Sequence, residues 1–428
     1  MSAVAREPLG ALLARRWRDP AAWVTTTDIF VILVAVSLPW STSLVAIFAV
    51  ATLVTMLPFF DATAFLQALK RPVCTVPVAL FALAAVGTLW SDAPWGVRLY
   101  AVGPAAKLLM LPVLFYHFER SSRGGQVFIA FLVSCVLLMV ASWIVAVYPS
   151  LAWRAVPDYG VPVKNYIDQS QEFALCAVAL SYPIIELVRA GRIVPALLLG
   201  AIALSFVANM TFIIVSRTAL VTMPIMLTVF ALLHLKWRTS AILAGVAVVL
   251  AALAFATSLQ LRAKIQTFSR DYQLYHEQNE PTSIGLRLEF WQKSLRFISE
   301  APVLGHGTGS IRGLFEQAAV GKDVATSEVI ANPHNQTLNV AIQWGALGVV
   351  ILYAMWLVHV LLFRGDDLVA WVGLMVVVQN FFTSLFNSHI FDFTPGWMYV
   401  LGVGIAGGMM FRAGRPDACP GLRISIQP

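Results

Sequence analysis

The chain has 428 residues, 59% of them hydrophobic and only 12% charged. No soluble fold hides that much apolar surface, which excludes a soluble enzyme and leaves a polytopic membrane protein. The net charge of +7 sits largely in short loops and the termini, so it reads as membrane topology and not as a nucleic-acid footprint.

Lipid permits only helices or a closed barrel. Long apolar runs without strand-like alternation select helices, so an all-α polytopic membrane protein is expected. About twelve spans of bilayer-crossing length follow in chain order. They cover residues 23–39, 43–57, 76–90, 102–118, 127–148, 173–187, 193–215, 219–235, 241–259, 337–363, 368–385 and 397–411. The first two are short and suit a tight hairpin around Trp40-Ser41-Thr42.

Loop charge sets the expected orientation. Arg15, Arg16 and Arg18 precede the first span. Lys70 and Arg71, Arg120 and Arg123, Arg189 and Arg192, Lys236 and Arg238, Arg364, and Arg412 with Arg415 follow in alternate loops. The positive-inside rule makes that side cytoplasmic, with both termini inside. The expected organisation is residues 1–259 as spans one to nine, 260–333 as an external helical insert, 334–412 as the last three spans and 413–428 as a cytoplasmic tail. The basic N-terminus runs into its apolar stretch without a cleavage site and reads as an anchor. None of the cysteines (Cys74, Cys135, Cys176, Cys419) falls in the insert, so no disulfide framework is expected.

Within the insert, residues 262–280 are polar and charged. Thr282-Ser283 then suits the cap of a helix running to about Ser299. Leu286, Phe290, Trp291, Leu295 and Ile298 would give it one apolar face. Pro302 and the run Gly305-His306-Gly307-Thr308-Gly309 end it, and Ile311, Leu314, Phe315 and Ala318 line a second amphipathic piece. Two such pieces suit either a lid over a cavity or an ordinary folded loop. The glycine run lacks the preceding strand of a dinucleotide fingerprint and reads as a turn, with His306 on its surface.

Several residues are candidates for chemistry. His334 follows Pro333 where the insert meets the tenth span; Pro333 suits a helix start, placing His334 at the helix mouth. A group titrating near neutrality there is a candidate base. Arg217, in Val215-Ser216-Arg217-Thr218-Ala219, is either an interfacial anchor or a fork for phosphate oxygens. Arg287 lies in the first turn of the insert helix, where the dipole disfavours a cation. It either pairs with Glu289 or Glu280 or helps bind an anion at that helix mouth.

Lys107 falls within the fourth span, where a charge either lines a polar cavity or pairs internally with a carbonyl. Gln379 and Asn380 suit interhelical hydrogen bonds. The external loop from Pro149 to Asp168 carries Arg154 and Lys164. Asp392, in Asn387-Ser388-His389-Ile390-Phe391-Asp392, either holds a turn, orients His334 or binds a sugar hydroxyl. Asp366-Asp367 reads as a helix cap. The external histidines show no i, i+4 pairing or carboxylate cluster, so no metal site is expected.

The pattern His334-Asn335, nine residues, Gly345-Ala346-Leu347-Gly348 resembles the signature of the bacterial O-antigen ligases, within a superfamily that includes O-antigen polymerases and O-oligosaccharyltransferases. Ser216-Arg217-Thr218-Ala219 and Gly285-Leu286-Arg287 match its two arginine motifs. Pro302-Val303-Leu304-Gly305 resembles a further recurrent turn, with His306 an unusual insertion. The resemblance covers nearly the whole chain, with its sharp motifs in the C-terminal half. It implies transfer of a glycan from undecaprenyl diphosphate to lipid A–core at the periplasmic face of the inner membrane, without cofactor, nucleotide sugar or divalent metal. It implies His334 as the base and Arg217 and Arg287 as diphosphate ligands. Asn335, Asp392, Lys107, Arg154 and Lys164 are the further substrate-binding candidates, and the spans would hold the lipid tails. Gly345 and Gly348 are assigned to close helix packing. The rival readings are a polymerase, a protein O-oligosaccharyltransferase and, more distantly, a transporter of lipid-linked sugars. A transporter should show paired halves or broken helices, which the sequence does not display.

Overall fold

The computed structural model of the chain describes residues 19–414 apart from 154–157, 279 and 323, and among these every regular element is helical. The N-terminal half comprises α1 (Pro20–Ser37), α2 (Thr42–Met56), α3 (Ala62–Leu69), α4 (Pro72–Val86), α5 (Trp95–Ala106), α6 (Met110–Phe118), α7 (Gly124–Val147), α8 (Tyr166–Ala179), α9 (Ser181–Arg189) and α10 (Ile193–Phe212). Next are α11 (Arg217–His234), α12 (Trp237–Thr257), α13 (Leu259–Gln278), α14 (Ser283–Glu300), α15 (Ile311–Ala319), α16 (Gln336–Leu362), α17 (Leu368–Thr383) and α18 (Phe393–Ala413).

Ten helical stretches among the described residues are long and apolar enough to cross a membrane, so the protein is a polytopic all-α membrane protein. The expectation of twelve differs at the C-terminal end. Helix α17 is apolar but shorter. Helix α18 is buried at every position from Thr394 to Gly408, packed between α6 and α17. A helix enclosed by protein need not be apolar, and its glycines admit neighbours closely. A Cβ at Gly407 would fall 1.9 Å from the Phe115 ring, and one at Gly402 2.5 Å from Val376. At the other extreme, α12 has no buried residue and faces outward all round.

The fourth span is α5 and α6 joined by a 3-10 turn at Lys107–Leu109, and the sixth is α8 and α9, which meet at Leu180 ahead of Pro183. The opening of the insert, read only as polar sequence, is helical and forms α13. Thr282 caps α14 as expected, accepting a bond from the Gly285 amide at 3.2 Å. Leu286, Phe290, Trp291 and Ile298 all join the apolar face of α14, as the spacing suggested. Phe290 and Phe297 are buried with Ile311 and Phe315 of α15 against Ile342 of α16, while Leu295 is exposed. The two amphipathic helices are therefore seated on α16.

Helix α16 is not continuous. Gly345 has φ 59° and ψ −155°, which breaks the helix between Trp344 and Ala346. The turn after α14 is threaded into the break. The Ala346 amide donates to the Pro302 carbonyl at 2.8 Å, and the His306 and Gly307 amides donate to the Ile342 and Gln343 carbonyls, each at 2.8 Å. Backbone groups that the break frees from the helix are thus bonded to the turn. A Cβ on Gly345 would sit 2.3 Å from the Val303 backbone, so both its dihedrals and its space demand glycine. This corrects the assignment of Gly345 to helix packing. Gly348 is buried, and a Cβ there would fall 2.8 Å from the Trp344 side chain and 2.9 Å from that of Val340. His306 is half-buried, with Nε2 2.8 Å from the Phe297 carbonyl, and is not a surface turn residue.

Candidate active site

His334 lies one residue ahead of the cap of α16. Asn335 is that cap, its Oδ1 accepting from the Leu338 amide at 3.1 Å while its Nδ2 donates to the Leu385 carbonyl at 3.1 Å. Both ends of the Asn335 side chain are committed to the fold, unlike the substrate contact expected of it. Pro333 does not open the helix, which begins at Gln336.

Among the described residues, His334 is the one non-glycine at positive φ, at 52°. Such a conformation costs on the order of 1–3 kcal/mol and persists where surroundings over-determine it. Here they do. The His334 amide donates to Asn332 Oδ1 at 2.9 Å, and that oxygen also accepts from Ser388 Oγ at 2.7 Å. Trp291 of α14 donates through Nε1 to the Pro333 carbonyl at 3.2 Å, and the Phe290 ring stacks on the imidazole with centroids 6.2 Å apart.

The imidazole faces the loop between α17 and α18. His334 Nδ1 lies 2.9 Å from Asn387 Oδ1, and Asn387 Nδ2 donates to Asp392 Oδ2 at 2.7 Å. Asp392 Oδ2 also lies 3.1 Å from His389 Nδ1, and His389 Nε2 lies 3.2 Å from Gln171 Nε2 on α8. Asp392 therefore reaches His334 only through Asn387. The second ring nitrogen, Nε2, has no hydrogen-bond partner among the described residues. Burial, reinforced by the Arg287 charge, pushes the imidazole below its ordinary value, outweighing the bond to Asn387 and the Asp392 charge, which act the other way.

Arg287 is half-buried on the second turn of α14, one position beyond the first turn expected, and close enough to His334 and to Arg217 for charge to act between them. Neither sequence partner claims it. Glu289 binds Lys293 at 3.3 Å and accepts from the Tyr275 hydroxyl at 3.0 Å. Among the described residues Arg287 has no hydrogen-bond or ion-pair partner. Burial and the Arg217 charge disfavour its cation, with Tyr166 opposing.

Arg217 opens α11. It pairs with Asp271 of α13 at 3.3 Å and donates to Thr267 at 3.2 Å, while its buried Nε has no partner among the described residues. The two guanidinium groups are thus close enough for their charges to act on one another, with the Asp271 carboxylate paired to Arg217. That arrangement carries surplus positive charge in partly desolvated surroundings and suits an anion.

The other candidates sit apart from this pair. Lys107 donates to the carbonyls of Phe391 and Asp392 at 3.0 and 2.5 Å, the internal pairing left open above, and so supports the loop that carries Asn387 and Asp392. Lys164 bonds the Leu38 carbonyl and Thr394 Oγ1, the latter at 2.9 Å, tying the loop before α8 to the start of α18. Arg154 lies outside the described residues. Gln379 donates to the Gln171 carbonyl at 2.7 Å, Asn380 accepts from Trp356 at 3.0 Å and Asp367 caps α17, all as read. The reading missed Asn332, Asn387, His389 and Gln171, of which the Asn-rich flanks of His334 were the one visible hint. Among the described residues no group of three or more His, Cys, Asp and Glu is placed to hold a metal ion.

No curated protein matches the chain. A family comparison does: residues 199–353 match the model described as O-antigen ligase. The matched segment holds Arg217, Arg287, His334 and Gly345, and leaves out Gln171 and the α17–α18 loop. Over residues 199–353 the chain is therefore similar to the family described as O-antigen ligase.

Proposed function

We propose that the protein is an O-antigen ligase. In this reading it moves a glycan from undecaprenyl diphosphate to a sugar hydroxyl of lipid A–core, at the periplasmic face of the inner membrane. The observation that carries the reading is Arg287, which has no hydrogen-bond or ion-pair partner among the described residues and lies within electrostatic reach of both Arg217 and His334, itself held at positive φ.

The chemistry follows from those groups. The acceptor hydroxyl attacks the anomeric carbon as its proton passes to His334 Nε2. The bond from that carbon to the diphosphate oxygen breaks, and the electron pair leaves with the phosphate. Arg217, Arg287 and the first turn of α11 balance the charge that gathers there. The displacement needs no enzyme nucleophile, so configuration at the anomeric carbon inverts. His334 must be neutral to accept the proton, and its depressed pKa keeps it so at neutral pH.

Deleting the gene tests the reading. Lipopolysaccharide should lose its long-chain bands while lipid-linked polymer accumulates. Cores capped by a single repeat would point to a polymerase, and unchanged lipopolysaccharide would overturn the proposal.

A further inference from the structure

We infer that Asn387 is a positioning residue that fixes the His334 proton on Nδ1 by relaying the polarity of Asp392, leaving Nε2 as the one basic nitrogen. The inference rests on His334 acting as the base and names the group that makes the correct nitrogen available.

A carboxylate only accepts hydrogen bonds. Asp392 Oδ2 is 2.7 Å from the Asn387 amide end, which must therefore present its NH2. The other end of that amide is then a carbonyl oxygen 2.9 Å from His334 Nδ1, so Nδ1 must carry the proton. Asn332 Nδ2 also donates to the same oxygen, at 3.2 Å, which agrees with that orientation. Turning Asn387 over would set its oxygen against the Asp392 carboxylate and its NH2 against that of Asn332.

The far end of the chain is consistent. The Gln171 NH2 donates to His389 Nε2, which leaves His389 Nδ1–H to donate to Asp392. Lys107 and Lys164 hold the two ends of the Phe391–Thr394 segment through the carbonyls of Phe391 and Asp392 and the Thr394 hydroxyl. An amide thus stands where a carboxylate would otherwise touch the ring. The anion is kept one residue away, so the imidazole is oriented without an adjacent negative charge raising its pKa. The charged and titratable groups facing the ring are Arg287 from α14 and Asp392 and His389 from the loop.

Two variants of the full-length enzyme test this, assayed with lipid-linked donor and lipid A–core. Asn387→Leu keeps size but offers no acceptor. It should lower kcat about 10–100-fold, the usual scale for an outer partner of a functional histidine, with the donor KM unchanged. The exchange Asn387→Asp with Asp392→Asn restores the polarity in reverse, since a carboxylate at 387 accepts from both Nδ1–H and the new amide. It should recover about tenfold or more over Asn387→Leu, the scale of coupling within one hydrogen-bond network. Its anion now touches the ring and favours imidazolium, so the acid limb of kcat should move to higher pH.

Wild-type kcat in Asn387→Leu would overturn the inference. So would an exchange variant as inactive as Asn387→Leu, or one whose acid limb does not move. His334→Gln separates this from the reading beneath it: if glutamine retains turnover, His334 is not the base, whatever the Asn387 variants do.

Discussion

His334→Ala is expected to lose most transfer, about a hundred- to ten-thousand-fold in kcat, because general-base assistance is typically of that size. Donor binding should survive, since Arg217 and Arg287 are untouched. His334→Gln keeps a hydrogen-bonding side chain without basicity and should fail equally. His334→Asn is the cleanest control. Asparagine tolerates the left-handed backbone that this position requires, so its loss of activity cannot be charged to the fold. The pH profile carries the sign of the shift. Burial lowers the imidazole pKa, so the neutral base persists further into acid than an ordinary histidine would. The acid limb of kcat/KM should therefore lie below pH 6.5, with activity falling as pH drops through the depressed value. A limb above that value would contradict the geometry.

Arg287→Ala is expected to cost about a hundred- to a thousand-fold in kcat, the effect of removing one positioned group from a site of developing negative charge. Arg287 has no hydrogen-bond or ion-pair partner among the described residues, so its loss should leave the fold and membrane insertion intact. Lysine keeps the charge but loses the planar fork and should rescue only partly. Arg217→Ala should be comparably inactive, but less cleanly interpreted, because it also strands Asp271. Near-native turnover in both alanine variants would remove the diphosphate clamp from the account.

Apolar periodicity made the helices legible, and polar residues at their ends made two of the caps legible. Thr282 and Asp367 cap the helices that their spacing indicated. The arginine and histidine candidates were legible because charge or an ionisable ring at the end of an apolar run is chemically costly. Their grouping was not, since Arg217 and Arg287 are 70 positions apart in sequence and come within electrostatic reach only because α13, whose Asp271 pairs with Arg217, packs against α14. Asn387 was hidden for a related reason. An amide in a polar loop is ordinary in sequence, and its meaning comes from the carboxylate on one side and the imidazole on the other. Gly345 misled because an apolar run shows no break, and the groups that fill the break come from Pro302 to Gly307. Helix α18 fell below the apolarity of a lipid-facing span because its surroundings are protein, which no local window records.

The central claim is that this chain joins a lipid-linked glycan to lipid A–core with His334 as the base. The most direct measurement is transfer by the purified enzyme, given undecaprenyl diphosphate-linked O-antigen and lipid A–core in chelator. The account predicts a glycosylated core with inverted anomeric configuration, stoichiometric release of undecaprenyl diphosphate, and loss of both products in His334→Asn. Retained configuration, a requirement for added divalent metal, or wild-type turnover by His334→Asn would contradict it.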